Sequence, residues 1–154
     1  MQSPGVRFPP PLIFVAGFLA GWLVERALPL GFPAGGRSPA TSAAGWLLIG
    51  TGLAVGGWAF ATFRRHHTAV FPNRPATSLV TEGPYRFSRN PMYVGLTLVY
   101  VGLSLLSGIF WPLIFLPLVL LLLWVAVIRR EERYLTEAFG SEYPAYQAGV
   151  RRWL

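Results

Sequence analysis

Two groups of residues have types and spacings suited to binding chemistry. The first runs Gly83-Pro84-Tyr85, then Arg89-Asn90-Pro91, Tyr93 and Gly95; the second is Glu131-Glu132, set among Arg129, Arg130 and Arg133. Asn-Pro marks a helix start, with asparagine as N-cap and proline in the first helical position. A guanidinium beside the free N–H groups of a helix N-terminus suits a carboxylate or phosphate. Adjacent glutamates offer acceptors for hydroxyl, amino or cationic groups of a ligand. Each group also has a plainer explanation. Arg89 can snorkel to lipid phosphates while Asn-Pro merely caps, and the glutamates can pair locally, Arg129 with Glu132 or Arg133 with Glu137.

Other chemistries are excluded by what the chain lacks. It has no cysteine, and all 13 basic residues are arginine, so thiolate and lysine catalysis are out. His66 and His67 are adjacent, point in different directions and have no Cys or Asp to assist them, so no metal site is expected. No Gly-x-Gly-x-x-Gly or Walker loop is present, which excludes a soluble dinucleotide fold.

The elements that must position these groups are membrane helices. Of 154 residues, 53% are hydrophobic and 12% charged, against about 25% charged in a soluble domain. A net charge of +7 then points to an anionic membrane surface rather than to nucleic acid. Phe8 to Val24, Ala43 to Phe63 and Met92 to Ile128 are uncharged runs. The last is too long for one crossing of a hydrocarbon core about 30 Å thick. Gly108 to Pro112 is the expected fold-back, which makes four spans with the third and fourth a tight hairpin. The first run has a competing reading as a signal peptide, but no small-residue cleavage site follows it. Gly17-x-x-x-Gly21 and Gly52-x-x-x-Gly56 allow close helix approach, within one chain or between two. In a four-span arrangement Arg7 and ten later arginines share one side, leaving only Arg26 and Arg37 on the other. The positive-inside rule places the eleven, and both termini, in the cytoplasm. Beyond Gly140, Tyr143, Tyr146, Val150 and Trp153 share a helical face, as in an interfacial amphipathic helix. The expected fold is therefore all-α, a single domain over 1–154.

Read together, Gly-Pro-Tyr-x-x-x-Arg-Asn-Pro-x-Tyr-x-Gly, a helical hairpin and Arg-x-Glu-Glu-x-x-Leu-x-x-x-Phe-Gly-x-Glu-Tyr-x-x-Tyr resemble the isoprenylcysteine carboxyl methyltransferase family and the related phospholipid methyltransferases. The resemblance covers residues 43–154. It implies an integral membrane enzyme that takes a methyl group from S-adenosylmethionine on the cytoplasmic side and needs no metal. Carried over residue by residue, it assigns Arg89, Pro91, Tyr93 and Gly95, with Glu131 and Glu132, to the cofactor. Asn90 stands where the family has a histidine, and it does not titrate near neutral pH.

The chemistry fits these roles. Arg89 and the helix N-terminus suit the cofactor carboxylate, and Glu131 and Glu132 suit its ammonium or hydroxyls. Tyr85 and Tyr93 suit adenine packing or a cation–π contact with the sulfonium. Arg89 and Glu132 are the residues expected to act nearest the reaction. Few bases are available, which favours a carboxylate or thiolate acceptor, lipophilic or small, entering beside the helices. The alternatives are an NADPH-dependent membrane reductase, since sterol reductases resemble this family, and a non-catalytic scaffold binding anionic lipid headgroups.

Overall fold

The protein is described by a computed structural model over residues 9–32, 38–66 and 78–154. Among these residues there are helices and no strand. Helix α1 spans Pro10–Ala27, with proline at its first turn, where a missing N–H costs nothing. Helix α2 spans Pro39–Arg65 and begins before the apolar run does, because Ser38 and Thr41 form a reciprocal capping box. A 3-10 turn at Gly83–Arg86 precedes α3, Pro91–Ser107. Helix α4, Trp111–Leu123, passes through a π-helical segment at Trp124–Ile128 into α5, Arg129–Phe139. Gly140, at positive φ, separates α5 from α6, Glu142–Gly149, which meets the expectation of a glycine stop.

Among the described residues three helices are long and apolar enough to cross a membrane: Pro10–Ala27, Pro39–Arg65 and the continuous Trp111–Phe139. Helix α3 is apolar but has 17 residues, roughly 25 Å at the helical rise. The break between α3 and α4 falls where glycine and proline predict it: Gly108 adopts the left-handed conformation at φ 68° and Pro112 opens α4. The helices joined there are not each other's main partners, however. Helix α3 lies chiefly along α2, and α4 along α1.

Glycine sets both pairings. Along α2 and α3, Gly45 meets Gly102 and Gly52 meets Gly95, running antiparallel. A Cβ built on Gly95 would lie 2.6 Å from the Gly52 carbonyl oxygen, and one on Gly102 would lie 2.7 Å from that of Gly45. Between α1 and α4, Gly17 is pressed against Val119 and Gly21 against Pro112. Gly17, Gly21 and Gly52 of the two Gly-x-x-x-Gly pairs therefore pack within the chain, whereas a Cβ on Gly56 would meet nothing. Lipid tails are as apolar as the helices, so this contact energy comes from close packing and not from hydrophobic burial.

Tyr100 ties the two pairs together. Its hydroxyl donates to the Pro112 carbonyl at 2.8 Å, and Phe14 and Phe18 meet its ring edge-on. At the same end the Trp111 indole donates to the Leu28 carbonyl at 2.8 Å. The opposite end gathers the C-terminus of α2, the N-terminus of α3 and the passage from α4 into α5.

Candidate active site

That second end is where the polar residues meet. Gly83, at φ 59°, admits the chain into the 3-10 turn against Thr62 of α2. The turn buries Tyr85 beside Ala59, Val80, Phe63 and Met92, with the Phe63 ring 5.0 Å away. The Tyr85 ring is thus packed against protein. From α6, the Tyr146 hydroxyl donates to the Tyr85 carbonyl at 2.6 Å.

Asn90 occupies the N-cap of α3 and Pro91 its first position, as the sequence predicts. The Asn90 side chain does not cap. Its Nδ2 donates instead to the Arg152 carbonyl at 2.9 Å. The Arg89 N–H donates to the Arg151 carbonyl at 2.9 Å, and the Ser88 hydroxyl reaches the Arg152 carbonyl at 3.4 Å. Residues beyond Gly149 therefore cross the start of α3 as an extended strap. The amphipathic helix expected to run through Val150 and Trp153 ends at Gly149. Tyr143 turns inward and is buried, and Trp153 packs against the main apolar core.

Under the strap sit the glutamates. Glu132 accepts from Arg152 at both oxygens, Nε at 2.9 Å and Nη2 at 3.0 Å. Arg89 Nη1 stands 3.2 Å from Glu132 Oε1. The partners of Glu132 thus come from outside its own helix, while Arg129 lies over the Trp124 ring. Glu131 accepts from the Tyr93 hydroxyl at 2.9 Å, which ties α5 to α3. Arg89 is largely buried, yet its Nε and Nη1 have no hydrogen-bond partner; the approach of Nη1 to Glu132 lacks hydrogen-bond alignment. Buried unpaired donors on a charged group are costly and call for an explanation.

Burial pushes the Tyr85 hydroxyl pKa up, and Tyr146 and the Glu131 carboxylate add to it. Burial and then Tyr143 raise Tyr146, against an opposing pull from Arg89. Burial and Glu132 raise Tyr143, opposed by Arg89 and Gln147. These phenols stay protonated at neutral pH, and that of Tyr146 is a donor, to the Tyr85 carbonyl. The hydrogen bond to Glu132 raises Arg152, which keeps its charge.

Of the residues singled out from sequence, Arg89, Glu132, Asn90 and Pro91 converge on the strap, and Tyr93 with Glu131 stands beside them. Gly95 lies one turn into the seam with α2. Sequence reasoning gave no site role to Arg152, Tyr143 or Tyr146. Arg152 had counted only toward membrane orientation, although two adjacent glutamates at a helix end already required counter-charges. Among the described residues no group of three or more His, Cys, Asp or Glu could hold a metal ion.

Comparison with known proteins bears on this arrangement. Residues 40–142 match the phospholipid methyltransferase family. The chain belongs to that family. Protein-S-isoprenylcysteine O-methyltransferase of Schizosaccharomyces pombe is 33% identical over 110 residues, 71% of this chain and 47% of the relative. The cobalt-zinc-cadmium resistance protein CzcN of Cupriavidus metallidurans is 36% identical over 95 residues, 61% of this chain and 44% of the relative. The nickel-cobalt-cadmium resistance protein NccN of Alcaligenes xylosoxydans xylosoxydans is 37% identical over 90 residues, 56% and 42% respectively. The chain thus spans about half the length of these relatives. No solved structure matches it significantly. The phospholipid methyltransferase match takes in both motif groups, from the 3-10 turn through Glu131 and Glu132.

Proposed function

We propose that the chain transfers a methyl group from S-adenosylmethionine to a lipophilic carboxylate at the membrane face where the arginines gather. The observation that carries this reading is Arg89: a largely buried guanidinium with Nε and Nη1 unspent, beside two glutamates that are already held. Such a group fits the α-carboxylate of an amino-acid-bearing cofactor. Family membership favours a methyl donor over a nicotinamide.

When bound, that cofactor supplies a methyl group on a positively charged sulfur, already activated for transfer. The chain's own residues then hold and orient. Arg89 binds the carboxylate. Glu131, fixed by Tyr93, and Glu132 accept from the ammonium or ribose hydroxyls. Tyr85, Asn90 and Pro91 shape the wall of the site, and Gly95 keeps α3 against α2. The chain's part would be to hold the acceptor against the methyl donor in a productive orientation, and an ionised carboxylate acceptor would need no general base.

A lipophilic acceptor is supported by the S. pombe relative, a protein-S-isoprenylcysteine O-methyltransferase, and by a site at the end of apolar helices. Helix α3 serves as a fourth, short crossing, antiparallel to α2. By the arginine imbalance the site end faces the cytoplasm, where anionic headgroups meet Arg64, Arg65 and Arg130.

Calorimetry on detergent-purified protein tests the reading, with S-adenosylmethionine, S-adenosylhomocysteine and NADPH as ligands. Binding of the first two, lost in Arg89→Ala, supports it. Binding of NADPH alone would replace it with a reductase, and binding of none by folded protein would leave a scaffold.

A further inference from the structure

The strap over α3 holds Arg152, whose Nε and Nη2 together grip one carboxylate. Arg152 meets both oxygens of Glu132, whereas Arg89, ion-paired to the same carboxylate through Nη1, keeps Nε and Nη1 without hydrogen-bond partners. A single carboxylate can accept two parallel bonds from only one guanidinium in this way. Glu132 lies within 3.2 Å of Arg89, so it would be the nearest anion for those unspent donors if nothing else held it. The strap is fastened by the residues that carry Arg89: the Arg89 N–H, the Asn90 amide and the Ser88 hydroxyl all donate to carbonyls of Arg151 or Arg152. Trp153, packed on the core, anchors it from the other side. Two guanidiniums therefore face the one carboxylate of Glu132, and only that of Arg152 is bonded to both of its oxygens.

We infer that Arg152 is a positioning residue: by engaging both oxygens of Glu132 it keeps the Arg89 fork open for the carboxylate of the cofactor. The inference rests on the methyl-transfer reading above. It also gives Asn90 a task unconnected with proton transfer, since its amide bolts the strap to the start of α3. Without Arg152, Glu132 would swing fully onto Arg89 and close the anion site from within.

The test compares two ligands that differ only in that carboxylate: S-adenosylhomocysteine and its decarboxylated analogue, S-adenosyl-3-thiopropylamine. The wild-type protein should prefer the first by roughly 10- to 100-fold, the range for hydrogen bonds to a charged group. Arg89→Ala should abolish the preference. Arg152→Gln should bring it to within about threefold, by weakening the carboxylate-bearing ligand and sparing the analogue. If Arg152→Gln weakens both ligands alike, or neither, the strap is only structural and the inference falls. Arg152→Lys keeps the charge without the fork and covers the case in which Arg152→Gln does not fold. A reduced preference in that variant supports the inference, and a wild-type preference overturns it. No binding of S-adenosylhomocysteine by the wild-type protein would overturn the methyl-transfer reading itself, together with this inference.

Discussion

Along α2 and α3 two backbones touch through Gly52 and Gly95, with no side chain between them; a turn away, the start of the same α3 is met by side chains and carbonyls from residues some sixty positions later. The first region works by leaving atoms out. Any added carbon collides with main chain, which cannot rotate away, so the contact is rigid and non-negotiable in volume. The second works by pairing: Arg89, Glu132, Arg152, Tyr93 and Glu131 are long side chains, with slack and with polar atoms to spare. Rigidity in the seam and reserve capacity in the knot divide the labour between fold and binding.

Substitutions should separate the two. The largest effect is expected from Gly95→Leu, whose side chain has no room against the Gly52 carbonyl. Size-exclusion chromatography in detergent should show no monodisperse species, and a folded variant would mean that the helices can part without consequence. Next, Arg89→Ala should lose about 100-fold in S-adenosylhomocysteine affinity by calorimetry while keeping a cooperative melt. If this variant also unfolds, the knot is holding the fold and the contrast collapses. Tyr93→Phe removes the donor to Glu131. It should cost about 1–3 kcal/mol by thermal melting and weaken the cofactor less than Arg89→Ala does. Tyr146→Phe deletes one neutral hydrogen bond to the Tyr85 carbonyl and should cost about 1 kcal/mol. The smallest change is Gly50→Ala, on the outer face of α2, where an added Cβ meets nothing; its melt should match or slightly exceed wild type.

Sequence reading did well where the signal is local. Asn90-Pro91, Gly108 and Gly140 each mark a helix end, because capping geometry and positive φ are decided by one or two neighbouring residues. Close-packing glycines were visible too, but not whom they meet, since a glycine carries no address. The knot was legible as two groups of residues and not as a bonded arrangement. Asn90 suits an N-cap by type, and nothing nearby reveals a better acceptor at Arg152. Glu132 has arginines at helical spacing on its own helix, yet its partners come from Arg89 and Arg152. The tail misled for a related reason. An amphipathic period across Tyr143, Tyr146, Val150 and Trp153 describes a helix in isolation, whereas carbonyls 151 and 152 find better donors at the start of α3 when the chain extends.

The π segment between α4 and α5 has a consequence of phase. There the Arg129 N–H reaches back to the Trp124 carbonyl, five residues away, so the helix carries one residue more per turn than its regular neighbours. Each residue of an α-helix advances about 100° around the axis. Shortening Trp124–Ile128 by a single residue, whichever one it was, would let the helix run regularly and rotate Glu131 and Glu132 by about that angle, away from Tyr93 and the strap. For this stretch the count of residues matters more than their identity: a deletion would blind the site while every residue of the site remained in the chain.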